Sequence, residues 1–153
     1  MMARAEKNKA GYELVILTAV VFIFVVGNIS AQEKVFVEFL NRGVSLSVEV
    51  ADTPYMQGRG LMFRQKMFLD SGMLFVFQQP QELKFWMKNT LMPLDMIFIS
   101  EDLRIVNIVE NAKPCANICE IYSSLLPAKY TVETNAGFVR MNGIKVGDSV
   151  VIG

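Results

Sequence analysis

The sequence has no histidine at all. That absence excludes Ser-His-Asp and Cys-His nucleophilic catalysis, and with them the usual histidine-based zinc sites. Any acid–base chemistry must come from carboxylates, lysines, tyrosines or cysteines. The chain also has no excess charge of either sign, since Lys+Arg and Asp+Glu number 15 each. Nucleic-acid binding needs concentrated positive charge, so no nucleic-acid partner is expected. No phosphate-cradling glycine loop is present: Gly58-Arg59-Gly60 lacks the preceding strand and following helix that such a loop requires. There is no nucleophile elbow, no internal repeat and no low-complexity stretch. The sequence calls for no cofactor.

What the chain has in abundance is apolar sequence, 52% of its residues, part of it concentrated near the N-terminus. Arg4, Lys7 and Lys9 precede an almost unbroken apolar run from Leu14 to Val26, and Ile29-Ser30-Ala31 follows. This is the layout of a secretory signal peptide cleaved after about Ala31. The run is shorter than the ~20 residues a spanning helix needs, yet an uncleaved N-terminal anchor remains the alternative reading. Either way residues 1–31 are a targeting segment, and residues 32–153 form one domain outside the cytoplasmic membrane, periplasmic or secreted. Contact with the membrane is expected only through residues 14–26, if they are retained. A domain of that length buries about two-thirds of its unfolded surface and folds alone.

Period-two patterns dominate residues 32–153. Val35–Leu40 is a β-rich run, Asn41-Arg42-Gly43 a turn, and Val44, Leu46, Val48 and Val50 alternate with smaller or polar residues. The pair reads as a hairpin. Thr53-Pro54 starts a short helix, as N-cap and first helical residue, and Gly58 and Gly60 end it. Asp70-Ser71-Gly72 signals a turn and Met73–Phe77 a central strand. Gln78–Gln81 is expected to turn the chain before an alternating strand, Leu83–Lys88. Leu94–Ile99, Arg104–Val109, Lys129–Glu133 and Ser149–Ile152 are further strands, residues 111–127 an irregular loop, and Asn135–Asn142 one or two helical turns. Many short strands with regular turns predict a mainly β fold, a compact sandwich, jelly roll or small barrel with one or two short helices.

The candidate functional residues cluster in the middle. In the Leu83–Lys88 strand, Leu83, Phe85 and Met87 share one face and Lys84, Trp86 and Lys88 the other. The only tryptophan thus lies among lysines on the more polar face, where it can stack on a sugar or aromatic ligand or anchor a partner. The plainer reading is that the lysine stems cover the ring. Asn89 and the nearby cations Arg59 and Arg64 complete this surface. Asp95 lies in a strand with two apolar faces, so its carboxylate is expected to be buried and to need hydrogen bonds or a cation, with Arg59, Arg64 and Lys88 as candidates. It is either a structural ion pair or an acid–base group. Glu82, Glu110 and Glu133 are the carboxylates available as a second acid, and nothing in the sequence brings them to Asp95.

Cys115 and Cys119 are close enough in sequence to form a short disulfide loop in an oxidising compartment. A thiol-redox or metal role and unpaired thiols remain open, although two thiolates without histidine make an incomplete metal site. Met56, Met62, Met67, Met73, Met87, Met92 and Met96 could offer thioethers to copper, but they lie mostly in apolar runs and fit core packing better.

These motifs, taken in order, resemble the domain-of-unknown-function 192 family, also called uncharacterised protein family UPF 0127. The matching pieces are Val48–Pro54, Arg59–Arg64, Gly72–Phe77, Phe85–Thr90, Pro93-Leu94-Asp95, Pro114-Cys115, Ala136-Gly137-Phe138 and Ile144–Val150. They span roughly residues 44–152. The resemblance implies a compact all-β domain, often exported, and no established activity, substrate or cofactor. Three functions follow as expectations. The first is a non-catalytic extracytoplasmic domain that binds a small molecule, an envelope polymer or a protein. The second is a carboxylate enzyme acting on an envelope substrate through Asp95. The third is a redox or metal protein working through its two cysteines.

Overall fold

The computed structural model describes residues 35–153, and the targeting segment expected at residues 1–31 lies outside them. Strands β1 (Val35–Phe39) and β2 (Val44–Ala51) form the expected hairpin, with Phe39 opposite Val44. Gly43 closes its turn at φ 64°, a conformation in which a Cβ is strained. Helix α1 (Pro54–Arg59) then carries the chain to β3 (Ser71–Phe85), which runs parallel to β2. A parallel neighbour cannot be reached by a tight turn, so this crossover is required by the topology. The Thr53 side chain accepts the Met56 amide at 3.3 Å, Pro54 opens the helix, and Gly60 ends it at φ 46°.

The remaining elements are β4 (Leu94–Ile99), β5 (Ile105–Ala112), β6 (Tyr122–Asn135), helix α2 (Phe138–Asn142) and β7 (Val150–Ile152). The seven strands make one sheet in the order β5-β4-β6-β3-β2-β1-β7. The sheet curls into a half-barrel, and its two ends are joined. Gly147 donates to Ile105 O at 2.8 Å, Val150 donates to Leu103 O at 3.0 Å, and Arg104 bridges to Ser149. The fold is thus mainly β, on the barrel side of the expectation. Arg42 locks the closure with two hydrogen bonds to Asp148, at 2.8 and 3.1 Å.

Two apolar layers result, one on each face. Val37, Phe39, Leu46, Leu74, Ile97, Ile99 and Val132 fill the inside of the curl, stoppered by Phe138 and Val139 of α2. The outer face of the central strands is covered by a second layer that includes Leu61, Met73, Phe75, Leu83, Met87, Met92, Met96 and Phe98. Strand β4 is therefore buried at every residue. Met73, Met87, Met92 and Met96 are core residues. Among the described residues no helix is long and apolar enough to cross a membrane.

The structure corrects several local expectations. Gln78–Gln81 does not reverse the chain. It lies within β3 at a register shift between the Val76–Tyr130 and Gln81–Ala128 pairs, where surplus residues bend the strand. Ser71 and Gly72 open β3 rather than form a turn. Residues 122–127 are not loop but the first part of β6, and Pro127 sits opposite Glu82 beside a second shift. There the Ser124 hydroxyl takes a ladder position, accepting Leu83 N at 2.9 Å and donating to Leu126 O at 2.6 Å. The strand predicted over Leu83–Lys88 ends at Phe85, and Lys88 keeps only a bridge to Cys115.

Candidate functional site

The second layer leaves one cavity of about 270 Å³ between α1 and the chain that leaves β3. Its near wall is Gln57, Gly58, Arg59 and Gly60, followed by Leu61 and Met62. Its far wall is Lys84, Phe85, Trp86, Lys88 and Thr90, and its floor is Phe75, Phe77 and Glu133. The walls are held firmly. Phe85 packs edge-on against Phe75, Phe77 and Phe98, with centroids 5.0, 6.3 and 5.8 Å away. Gln57 fastens α1 to β3 by donating to Val76 O at 2.7 Å. Gly60 passes directly over Phe75, where a Cβ would lie 3.3 Å from the ring.

Trp86 is 49% exposed, and the Lys88 ammonium sits 5.5 Å from its ring centroid. A lysine covers part of the ring, as the plainer reading expects, and the rest is exposed beside the cavity. Arg59, at the end of α1, faces the same cavity and makes no ion pair among the described residues. Lys84 has only Glu82, 4.0 Å away with both side chains well exposed, a weak attachment.

Glu133, which the sequence offered only as one of three carboxylates available beside Asp95, is the most unusual group here. It is 5% exposed, and no side chain or amide among the described residues donates to its carboxyl. Burial pushes its pKa up to about 8. At neutral pH it is a carboxylic acid, able to donate one hydrogen bond and accept another. Thr131, two residues earlier on the same strand face, has a buried hydroxyl that likewise lacks a partner. Thr131 Oγ1 is the fully enclosed atom without a partner among the described residues, whereas the Glu133 carboxyl keeps some access to the cavity it lines, so it is placed to make polar contact with whatever enters.

The other predicted residues lie elsewhere. Asn89 stands behind the far wall with φ 57°, where its amide donates to Cys115 O at 3.1 Å and its carbonyl accepts Phe63 N at 2.8 Å. It ties together three segments rather than meeting the cavity. Arg64 borders a neighbouring groove of about 500 Å³, shared with Arg59, Tyr55 and Phe63, and is held in a two-pronged pair with Glu49. That hydrogen-bonded guanidinium holds the Glu49 carboxyl below its usual range.

Asp95 is fully buried as expected, but no cation among the described residues pairs with it. Its Oδ1 accepts Asn111 N at 2.8 Å, and its Oδ2 accepts Gly137 N at 3.0 Å and Val139 N at 2.9 Å. Asp95 caps α2 from across the sheet, a task Gly137 has no side chain to perform. Arg59, Arg64 and Lys88 are thus not its partners, because backbone amides already occupy both oxygens.

The sulfurs of Cys115 and Cys119 lie at disulfide distance, 2.04 Å. Cys115 also donates its amide to Met87 O at 3.2 Å. The cysteine loop is therefore fastened to the segment that carries Trp86 and Lys88.

Known proteins were compared with this chain. No curated protein matches it. Two solved structures are similar. One, from Sinorhizobium meliloti 1021 and provisionally described as a transcription regulator, is 40% identical, with a TM-score of 0.72 over 78% of this chain and 92% of that one. The other, a protein of unknown function from Novosphingobium aromaticivorans DSM 12444, is 35% identical, with a TM-score of 0.69 over 81% of this chain and 89% of that one. The model of the DUF192 family, described as an uncharacterized ACR, matches residues 37–152, and the chain belongs to that family.

Proposed function

We propose that this protein is an extracytoplasmic binding domain without catalysis of its own, and that its ligand or partner enters the Trp86 cavity. The observation that carries this reading is the convergence of Trp86, Arg59, Lys84 and Lys88 around a buried carboxyl that has no hydrogen-bond partner among the described residues. Aromatic faces and fixed polar groups around a concave surface are the usual makings of a ligand site. The balanced charge favours a small molecule, an envelope polymer or a protein segment over nucleic acid, whatever the regulator description of the Sinorhizobium relative entails for that protein.

The non-catalytic reading is supported by what faces the cavity. Glu133 is the one carboxyl lining it, and Asp95 has both oxygens occupied on the other face of the sheet. A carboxylate pair of the kind used in glycoside hydrolysis has no second member there. Export is supported by the apolar Leu14–Val26 leader and by cysteines at disulfide distance, which suit an oxidising compartment.

Trp86 is the only tryptophan, so its emission reports on this cavity alone. The protein is titrated with soluble envelope fragments, sugars and short peptides while that emission is followed. One class is expected to give a saturable change that weakens in Lys88→Ala and Arg59→Ala. If no class moves the signal, the cavity is not the binding site. Cell fractionation of the full chain tests export, and recovery in the cytoplasm overturns it.

A further inference from the structure

The chemical class of the ligand can be argued from the groups around the cavity, and this inference rests on the binding reading above. Three cations line the rim, one from each supporting segment: Arg59 from α1, Lys84 from β3, and Lys88 from the chain beyond it. The facing positions on neighbouring strands are apolar, because Glu133 lies opposite Met73 of β3 and Met96 of β4. Among the described residues Glu133 is the one carboxyl lining the cavity, and its burial keeps it neutral up to about pH 8, while Glu82, 4.0 Å from Lys84 outside the cavity, offsets part of one cation. The cavity is therefore positive at neutral pH, and an anionic group is the natural complement.

A bare anion would leave the rest unused. It does not engage the open part of the Trp86 ring, and it does not answer the hydrogen-bond donor and acceptor of the Glu133 acid. An aromatic acid would cover Trp86 but offer nothing to the donor and acceptor of the Glu133 carboxyl. A ring with one apolar face and several hydroxyls answers both groups. The cavity, at about 270 Å³, is smaller than sites for drug-sized molecules, about 300–1,000 Å³. It suits a single ring.

We propose that the cavity binds the ring of an acidic sugar, stacked on Trp86, with its anionic group held by Arg59 and Lys88 and its hydroxyls meeting the Glu133 carboxyl. The anion is a carboxylate or a phosphate ester. An anionic ligand binds only while Glu133 is protonated, because ionised Glu133 repels it from within the same cavity. Affinity therefore falls as the medium becomes alkaline.

Gly58 supplies a clean steric probe. It lies in α1 on the cavity wall, and a Cβ built there meets nothing within 4 Å. Leucine at this position adds bulk to the cavity wall with no clash at its Cβ and replaces a poor helix former.

The test follows Trp86 emission during titration with glucuronate, glucose 6-phosphate, glucose and inorganic phosphate. At about pH 6 at least one of the two acidic sugars is expected to bind about tenfold or more tighter than glucose and than inorganic phosphate, the scale of a lost charge-assisted hydrogen bond. Raising the pH to about 9 should weaken it about tenfold, as Glu133 ionises. Glu133→Gln should flatten that pH dependence, and Gly58→Leu should abolish the response while the thermal midpoint is kept or raised. The proposal is overturned if neither acidic sugar exceeds glucose, if inorganic phosphate does as well, or if Gly58→Leu still responds. If a neutral sugar or peptide moves Trp86 instead, the acidic-sugar class fails while the binding reading stands. If no ligand of any class moves it, both fail together.

Discussion

Asp95 and Glu133 are buried carboxylic groups that point to opposite faces of one sheet. Asp95 pairs with Thr134, and Glu133, one residue away on β6, pairs with Met96. In a strand each step crosses the sheet, so adjacent positions are separated by its full thickness. Their fates differ accordingly. Asp95 is satisfied by three backbone amides, whereas Glu133 lines a cavity with none. Four consequences can be measured.

Glu133 should make stability depend on pH in the direction opposite to an ion-paired carboxylate. Its ordinary pKa of 4.5 is raised to about 8 in the folded protein. Between those values the folded state holds a proton that the unfolded state has released. Stability contributed by this group is thus complete below about pH 4.5 and declines up to about pH 8, with a limiting slope on the order of 1.4 kcal/mol per pH unit. Urea unfolding at pH 5 and pH 8 should show the decline in the parent and its loss in Glu133→Gln. An equal decline in both chains counts against the burial account.

Removing the Asp95 carboxylate should damage the fold and spare the cavity. Asp95→Ala leaves the amides of Asn111, Gly137 and Val139 without an acceptor. Each unsatisfied buried donor costs about 1–3 kcal/mol, so a loss of about 3 kcal/mol or more is expected in denaturant. Asp95→Asn keeps one acceptor oxygen and should cost less. Trp86 emission of the folded fraction should match the parent. A marked change there would mean that Asp95 and the cavity are coupled through the sheet.

The cysteine pair should matter locally more than globally. The closed loop is short, and the loop-entropy account gives about 2 kcal/mol for it. Replacing Cys115 and Cys119 by serine should lower stability by about that amount. Because Cys115 is hydrogen-bonded to Met87 and Asn89, the same change should shift Trp86 emission toward a more solvated ring. An unchanged spectrum would show that the backbone contacts suffice without the bond.

Gly72 should tolerate no side chain. A Cβ at this position would lie 2.5 Å from the backbone carbonyl of Glu133, which cannot rotate away. Gly72→Ala must separate β3 from β6 beneath the cavity, at a cost of about 1–3 kcal/mol, typical of overpacking. Gly58→Ala is the control, with open space around its Cβ and a small expected gain in stability. If the two variants unfold at the same midpoint, the close approach of β3 and β6 is not as described.

Much of this site was legible as local pattern. Lys84, Trp86 and Lys88, grouped from the sequence, all line the cavity, although the strand ends at Phe85 and Phe85 from the other predicted face lines it too. Thr53-Pro54 and Gly60 set the bounds of α1, which brings Arg59 to the rim. Glu133 was not legible. Lys129, Thr131 and Glu133 alternate with Tyr130 and Val132, the pattern of a strand with one wet face, yet Thr131 is fully buried and Glu133 nearly so. The second apolar layer covers that face, and its members come from strands β2 to β6 together with Leu61 beyond α1 and Met87 and Met92 between β3 and β4. The bend at Gln78–Gln81 was misread for a related reason, since Pro80 is compatible with either a reversal or a bulge, and only pairing with β6 selects the bulge.

The sequence by itself determined the mainly β character, the extent of most strands, the helix caps and the burial of Asp95, because these depend on neighbours within a few residues. Tertiary structure alone decided which parallel and antiparallel partners each strand took, that amides and not cations hold Asp95, and that Glu133 is buried beside a cavity. Burial and hydrogen bonding of a carboxyl depend on segments far along the chain, and no local periodicity records which of them will arrive.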